Sequence, residues 1–143
     1  MVADLIAISI SEVHPDPLGP DRIRNQNVKL NEEWIEIANN GDEPFRLKDR
    51  VLIDRTKTNQ HRHKKVFSPT DENFALPVSE KLRIFSGKMD DPNDPNPPVP
   101  AGTWRYFLNY GNYIWNNSGD TAEIYASEND LALGHAPLAR RSF

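Results

Sequence analysis

Asn31-Glu32-Glu33-Trp34-Ile35-Glu36-Ile37-Ala38-Asn39-Asn40-Gly41 decides how the rest of the chain is read. Ile35 and Ile37 alternate with Trp34, Glu36 and Ala38, the period of two expected of a strand with one buried face. Asn39-Asn40-Gly41-Asp42 follows, with side chains that bond their own backbone or tolerate positive φ, so the chain turns there. The spacing predicts a central strand of a small sheet, with Ile35 and Ile37 in the core.

The same punctuation continues in both directions. Upstream, Leu5 to Val13 reads as a first strand with Ile6, Ile8 and Ile10 on one face, stopped by Asp16-Pro17-Leu18-Gly19-Pro20. Asp4 stands where a signal peptide carries positive charge, and no small-residue cleavage site follows, which favours a strand over a leader. Downstream, Phe45 to Asp49 reads as a short edge segment and Val51 to Asp54 as an apolar strand. A polar, basic hairpin from Arg55 to Lys65 leads into Val66-Phe67. Phe74 to Pro77, Lys81 to Ser86, Trp104 to Leu108 and Ile114-Trp115 give further short strands. Thr121 to Ala126 and Leu131 to Leu133 read as a closing hairpin across Ser127 to Asp130.

That makes about eight to ten short strands, with turn signals roughly every 8 to 15 residues and no helical period sustained over three turns. The pattern predicts an all-β, antiparallel β-sandwich. The expected domain runs over residues 1–134, with 135–143 as a partly ordered tail.

Composition narrows the function classes. The 143 residues carry 37% hydrophobic side chains, 12 prolines and a net charge of −4, so the chain as a whole presents no positive field to nucleic acid. No cysteine occurs, which removes disulfides, thiolate nucleophiles and cysteine-based zinc sites. No window approaches the roughly 18 apolar residues that a membrane-spanning helix needs. Neither side of a membrane is favoured as the compartment.

Several phrases, taken in order, resemble the lamin tail domain, the immunoglobulin-like module of lamins and of many bacterial and archaeal proteins. They are Ile10-Ser11-Glu12-Val13; Asn31 to Asn39; Phe45-Arg46-Leu47-Lys48-Asp49 followed by Val51-Leu52-Ile53-Asp54; Phe67-Ser68-Pro69; Leu76-Pro77; Leu82-Arg83-Ile84-Phe85-Ser86-Gly87; and Trp115-Asn116-Asn117-Ser118-Gly119-Asp120-Thr121-Ala122-Glu123-Ile124-Tyr125. The chain departs from the family pattern at Arg50, where an aromatic is usual, and at Ser79-Glu80, where a glycine is usual. The inserts 55–65 and 88–103 are long. The resemblance implies an immunoglobulin-like sandwich for adhesion, anchoring or scaffolding, with Trp115 buried, and it brings no catalytic residue.

Candidate sites follow from residue type and spacing. Arg55, Lys57, His61, Arg62, His63, Lys64 and Lys65 form the one dense positive run in an acidic chain, a candidate surface for nucleic acid or an anionic partner. Aromatics that stack on bases are absent from it. His61 and His63 share a strand face, as a zinc or nickel pair would, but no third ligand is adjacent and a solvated hairpin is the simpler account. Asp90, Asp91 and Asp94 with Asn93 and Asn96 offer oxygen ligands without the register of an EF-hand loop. Between Trp104 and Trp115 lies the densest aromatic stretch. Most of it should pack in the core, leaving Tyr110 and Tyr113 as candidate contacts for a partner. Asn116-Asn117-Ser118 is a glycosylation sequon that matters only in a secretory pathway. Catalytic spacings such as GxSxG, HExxH or a P-loop are absent, and Glu33 and Glu36, three apart on a strand, point to opposite faces.

The sequence therefore predicts a non-enzymatic interaction module without cofactor or metal. It would bind a protein or surface partner through edge strands and loops 55–65 and 88–103. The alternative is nucleic-acid or anionic-surface binding through the basic hairpin.

Overall fold

The computed structural model describes residues 7–14, 31, 33–56, 60–87, 98–109 and 120–143, with the side chains of His61 and Arg62 outside that description. Among the described residues the alternating segments become ten strands: β1 (Ile8–His14), β2 (Trp34–Asn39), β3 (Phe45–Arg46), β4 (Val51–Arg55), β5 (His61–Val66), β6 (Ala75–Leu76), β7 (Lys81–Phe85), β8 (Thr103–Phe107), β9 (Thr121–Tyr125) and β10 (Ala139–Ser142). A five-residue helix, α1 (Glu128–Ala132), sits between the last two.

Two four-stranded sheets face each other, ordered β1-β2-β7-β8 and β10-β9-β4-β5, and β3 pairs with β6 alongside. Side chains of alternate residues meet between the sheets. Ile8, Ile10, Ile35, Ile37, Leu82 and Ile84 from the first sheet pack with Leu52, Ala122 and Ile124 from the second, with Phe45 and Leu76 of the β3–β6 pair, and with Leu47 and Phe67 from connecting segments. Ile35 and Ile37 are completely buried, as their alternation requires.

Asn39 ends β2 by serving as a junction. Its side-chain Nδ2 donates to the carbonyls of Glu43 and Leu76, both at 2.9 Å, and its Oδ1 accepts from the Gly41 N–H at 3.0 Å. One amide thus closes the predicted turn and ties β2 to β6.

Three expectations change. The strand pairs are antiparallel as expected except β7–β8, which is parallel; in length alone, the stretch 86–102 suffices for the crossover that parallel neighbours need. The expected closing hairpin is instead a helix: Leu131 lies in α1 and Leu133 caps it. Ser127 is the N-cap and accepts from the Asp130 N–H at 3.1 Å, while Gly134 at φ +73 and His135 return hydrogen bonds to Leu131 and Asp130. This is a Schellman ending, which requires a left-handed residue after the cap. Finally, the residues expected as a partly ordered tail form β10, paired antiparallel with β9 from Ala139↔Ile124 to Ser142↔Thr121. Apolar–polar alternation there is weak in sequence, and the pairing partner supplies the order. Ile114 and Trp115 lie outside the described residues.

Candidate functional site

The edges of the two sheets show where a partner could be met. β1 and β10 close one side of the sandwich against each other, with Arg141 of β10 donating to the Ile10 and Ser11 carbonyls of β1. The opposite side is bounded by β5 and β8. Segment 67–69 bridges it: Phe67 meets Tyr106 edge-on, with centroids 5.1 Å apart, and the Ser68 N–H donates to the Tyr106 hydroxyl at 3.0 Å. Two concave regions stand out among the described residues.

The first is an open groove of about 600 Å³ on the outer face of the second sheet, lined by Arg55, Lys64, Glu123, Tyr125, Glu128 and His135 among others. Alternation places Arg55, Glu123 and Tyr125 on that face of β4 and β9, over a small cluster of Val51, Ile53, Tyr125, Val66 and Leu131. Arg55 Nε donates to Glu123 Oε1 at 3.1 Å, and its Nη2 donates to the Tyr125 hydroxyl at 3.0 Å. The Tyr125 hydroxyl in turn donates to Glu123 Oε1 at 2.6 Å, and Arg140 Nε donates to Glu123 Oε2 at 3.0 Å. Burial alone would raise the Glu123 pKa, but the bonds from Tyr125, Arg55 and Arg140 outweigh it and hold the carboxyl below its ordinary value. Burial, and then the bond to Glu123, pushes the Tyr125 phenol up.

This groove holds titratable groups without the relationships that catalysis uses. Glu123 is a carboxylate held by two arginines and a phenol, a poor proton acceptor. His135 Nδ1 lies 2.7 Å from Asp130 Oδ1, and Ser127 Oγ donates to Asp130 Oδ2 at 3.0 Å. The contacts run serine–aspartate–histidine, with both partners on the carboxylate, so the imidazole is not in line to take the serine proton. Those bonds, His135 first and Ser127 second, lower the Asp130 pKa. The pattern is a helix cap. Ser-x-x-Asp, a serine followed three residues later by an acid, is the signal in the sequence that could have found it.

The second region is a slot of about 370 Å³ between β8 and loop 68–74, lined by Leu47, Pro69, Asp71, Phe74, Trp104 and Tyr106 among others. Trp104 and Tyr106 are opposite Leu82 and Ile84 in the β7–β8 register, so both point toward the sandwich interior at its open side. Tyr106 is partly buried, while Trp104 stays 45% exposed. It is nevertheless fixed: Phe74 packs edge-on with centroids 5.3 Å apart, and the indole Nε1 donates to Glu80 Oε1 at 2.5 Å. Trp104 therefore departs from the core position that the aromatic run suggests. Its place as the first aromatic of an edge strand, beside the polar loop 68–73, is the cue that marks it as open.

The basic run is divided by the fold. Arg55 and Lys64 reach the charged groove, where Lys64 Nζ bonds Glu128 Oε2 at 2.7 Å. His63 turns instead to the buried Asp54, which accepts from its backbone N–H at 2.7 Å and lies 3.1 Å from its Nδ1. Lys65 is on β5 and partly buried. His61 and Arg62 are on β5 by backbone only, and Lys57, Tyr110 and Tyr113 lie outside the described residues, as does the Asp90–Asn96 loop. Among the described residues no three histidine or carboxylate side chains converge as metal ligands, and no helix is long and apolar enough to cross a membrane. Glu33 and Glu36 do part as expected: Glu33 is buried and accepts from Ser86 Oγ, whereas Glu36 pairs with Arg83 at 3.0 Å.

A family model described as Lamin Tail Domain matches residues 3–136. The curated proteins offer no match to the chain.

Proposed function

Because the chain belongs to the lamin tail domain family, we propose that it is a non-catalytic module that binds a partner protein at the β5–β8 side of the sandwich. The observation that carries this reading is the slot beside β8. An exposed tryptophan held by a neighbouring ring and a carboxylate presents apolar area without the entropic cost of freezing a loose side chain, the property of an interface anchor. Loop 88–103, the other expected contact, lies outside the described residues over 88–97.

The alternative, an anionic partner on the basic hairpin, has less support. Arg55, His63 and Lys64 are each engaged with Glu123, Asp54 and Glu128, so much of that positive charge is answered within the domain. Catalysis has less still, since the carboxylate of the charged groove is committed to arginines and Ser127 at its rim is bonded to Asp130 rather than to the imidazole of His135.

Site-specific photocrosslinking in the native host tests the choice. A photoreactive phenylalanine at position 104 should give a discrete protein adduct, and one at position 64 should give none. Adducts from 64 alone, or oligonucleotide binding at low salt, would overturn the assignment to the slot.

A further inference from the structure

The slot beside β8 has a chemical preference that its shape alone does not convey. Four aromatic residues line it, with Phe74, Trp104 and Tyr106 beside Phe107. The indole N–H of Trp104 donates to the carboxylate of Glu80, and hydrogen bonding to an anion pushes electron density into the ring and strengthens its negative face. Asp71 adds a second carboxylate at the rim, exposed and anchored by the Asn73 N–H at 2.9 Å. Arg105 also borders the slot, but its guanidinium is turned to the Phe107 ring, 5.7 Å from the centroid. Trp104 and Tyr106 thus share one side of β8 with Asp71 at its rim, while the Arg105 guanidinium is engaged with the Phe107 ring. An acidic chain, with net charge −4, adds an attractive background for positive ligands.

We propose that the slot captures a basic side chain, a lysine ammonium or arginine guanidinium carried on an extended segment of a partner protein, against the face of Trp104 with Glu80 and Asp71 as counter-charges. This rests on the reading of the domain as a protein-binding module and names the chemistry of its ligand. A cation within about 6 Å of an indole centroid gains from the ring quadrupole, and more so when partly desolvated. A second copy of the chain is disfavoured as the occupant if β8 meets β8 about its centre, because Arg105 would then oppose Arg105 and like charges directly across a ladder repel.

The test uses short extended peptides that differ at one central residue, lysine, norleucine or glutamate, with the Trp104 indole N–H resonance as the readout, assigned by its loss in Trp104→Phe. The lysine peptide should shift that resonance saturably, and norleucine should bind at least about fivefold more weakly, the scale of a cation–π contact plus a screened charge. Glu80→Gln keeps a hydrogen-bond acceptor for the indole and removes only the charge; with Asp71→Asn it should weaken the lysine peptide while leaving the norleucine peptide unchanged. Equal binding of lysine and norleucine would overturn the cation preference while leaving a protein-binding slot intact. No shift with any peptide would overturn the slot as a basic-residue site. A shift that grows with protein concentration alone would identify self-association and overturn the proposal as well.

Discussion

The charged groove and the aromatic slot belong to one sandwich, and they differ in what folding has left over. In the groove, Arg55, Tyr125, Glu123 and Arg140 form a closed set of hydrogen bonds, and Lys64 is held by Glu128. In the slot, Trp104 is fixed at its edge and at its N–H but remains 45% exposed. A ligand entering the groove must compete with internal partners of equal chemistry. A ligand entering the slot displaces water from a ring that is already in place. Charge that is conspicuous in a sequence is thus a poor guide to a binding surface when the fold supplies its counter-charge.

The largest expected effect falls on the frame that both regions share. Ile37→Ala should cost about 2–5 kcal/mol, because a fully buried side chain on β2 is replaced by a cavity in the shared core. Urea denaturation measures it, and both surfaces should weaken together only near the unfolding midpoint. A loss below about 1 kcal/mol would mean that the core collapses around the site and that the two regions are not braced by the same packing.

Glu123→Gln separates them. It removes the carboxylate that two arginines and a phenol share, and should cost about 1–3 kcal/mol, leaving the slot unaffected. The pH dependence has a definite sign. A carboxyl whose folded pKa lies below its ordinary value of 4.5 contributes stability above that value and loses it as pH falls through the lowered pKa. The gap between wild type and variant should therefore be constant near neutrality and close under acid. A gap that widens as pH falls would show that Glu123 is not the stabilised anion of this cluster.

The same contrast governs what could be read from the chain beforehand. Strand identity was legible wherever one face is buried, since alternation records burial directly: Ile35 and Ile37 in β2, Leu82 and Ile84 in β7. The family phrases added order to those strands. The direction of β8 was not legible, because alternation is the same for parallel and antiparallel neighbours, and only the length of 86–102 hinted at a crossover. The helix α1 was obscured by its brevity, although Ser127 and Asp130 spell its cap. The candidate site was least legible. That Arg55 would meet Glu123, or Trp104 meet Glu80, depends on residues far apart in sequence that nothing local connects.

A smaller effect tests the rim of the groove. Ser127→Ala removes the oxygen that accepts the Asp130 N–H, and should cost about 0.5–2 kcal/mol. Its consequence should stay local: faster amide exchange over α1 and residues 134–135, with β8 and the slot unchanged. Exchange that also accelerates in β8 would mean that the two regions are coupled, against the independence that their separate hydrogen-bond sets imply.

Lys64→Ala is expected to do least. Its pair with Glu128 is close, but both side chains are about half exposed, at 41% and 56%, and such surface pairs contribute about 0–1 kcal/mol. Its value lies in the anionic-ligand reading of the hairpin, where removing a lysine that neutralises one phosphate would lower the salt slope of oligonucleotide binding by about one. With Lys64 already answered by Glu128, wild type and variant should instead behave alike toward an oligonucleotide, with no measurable binding at low salt. Binding by the wild type that falls steeply with salt, and a shallower slope in Lys64→Ala, would reverse the ranking of the two surfaces: the groove would then be the one that recruits a partner, and the ion pair with Glu128 a gate that the ligand opens.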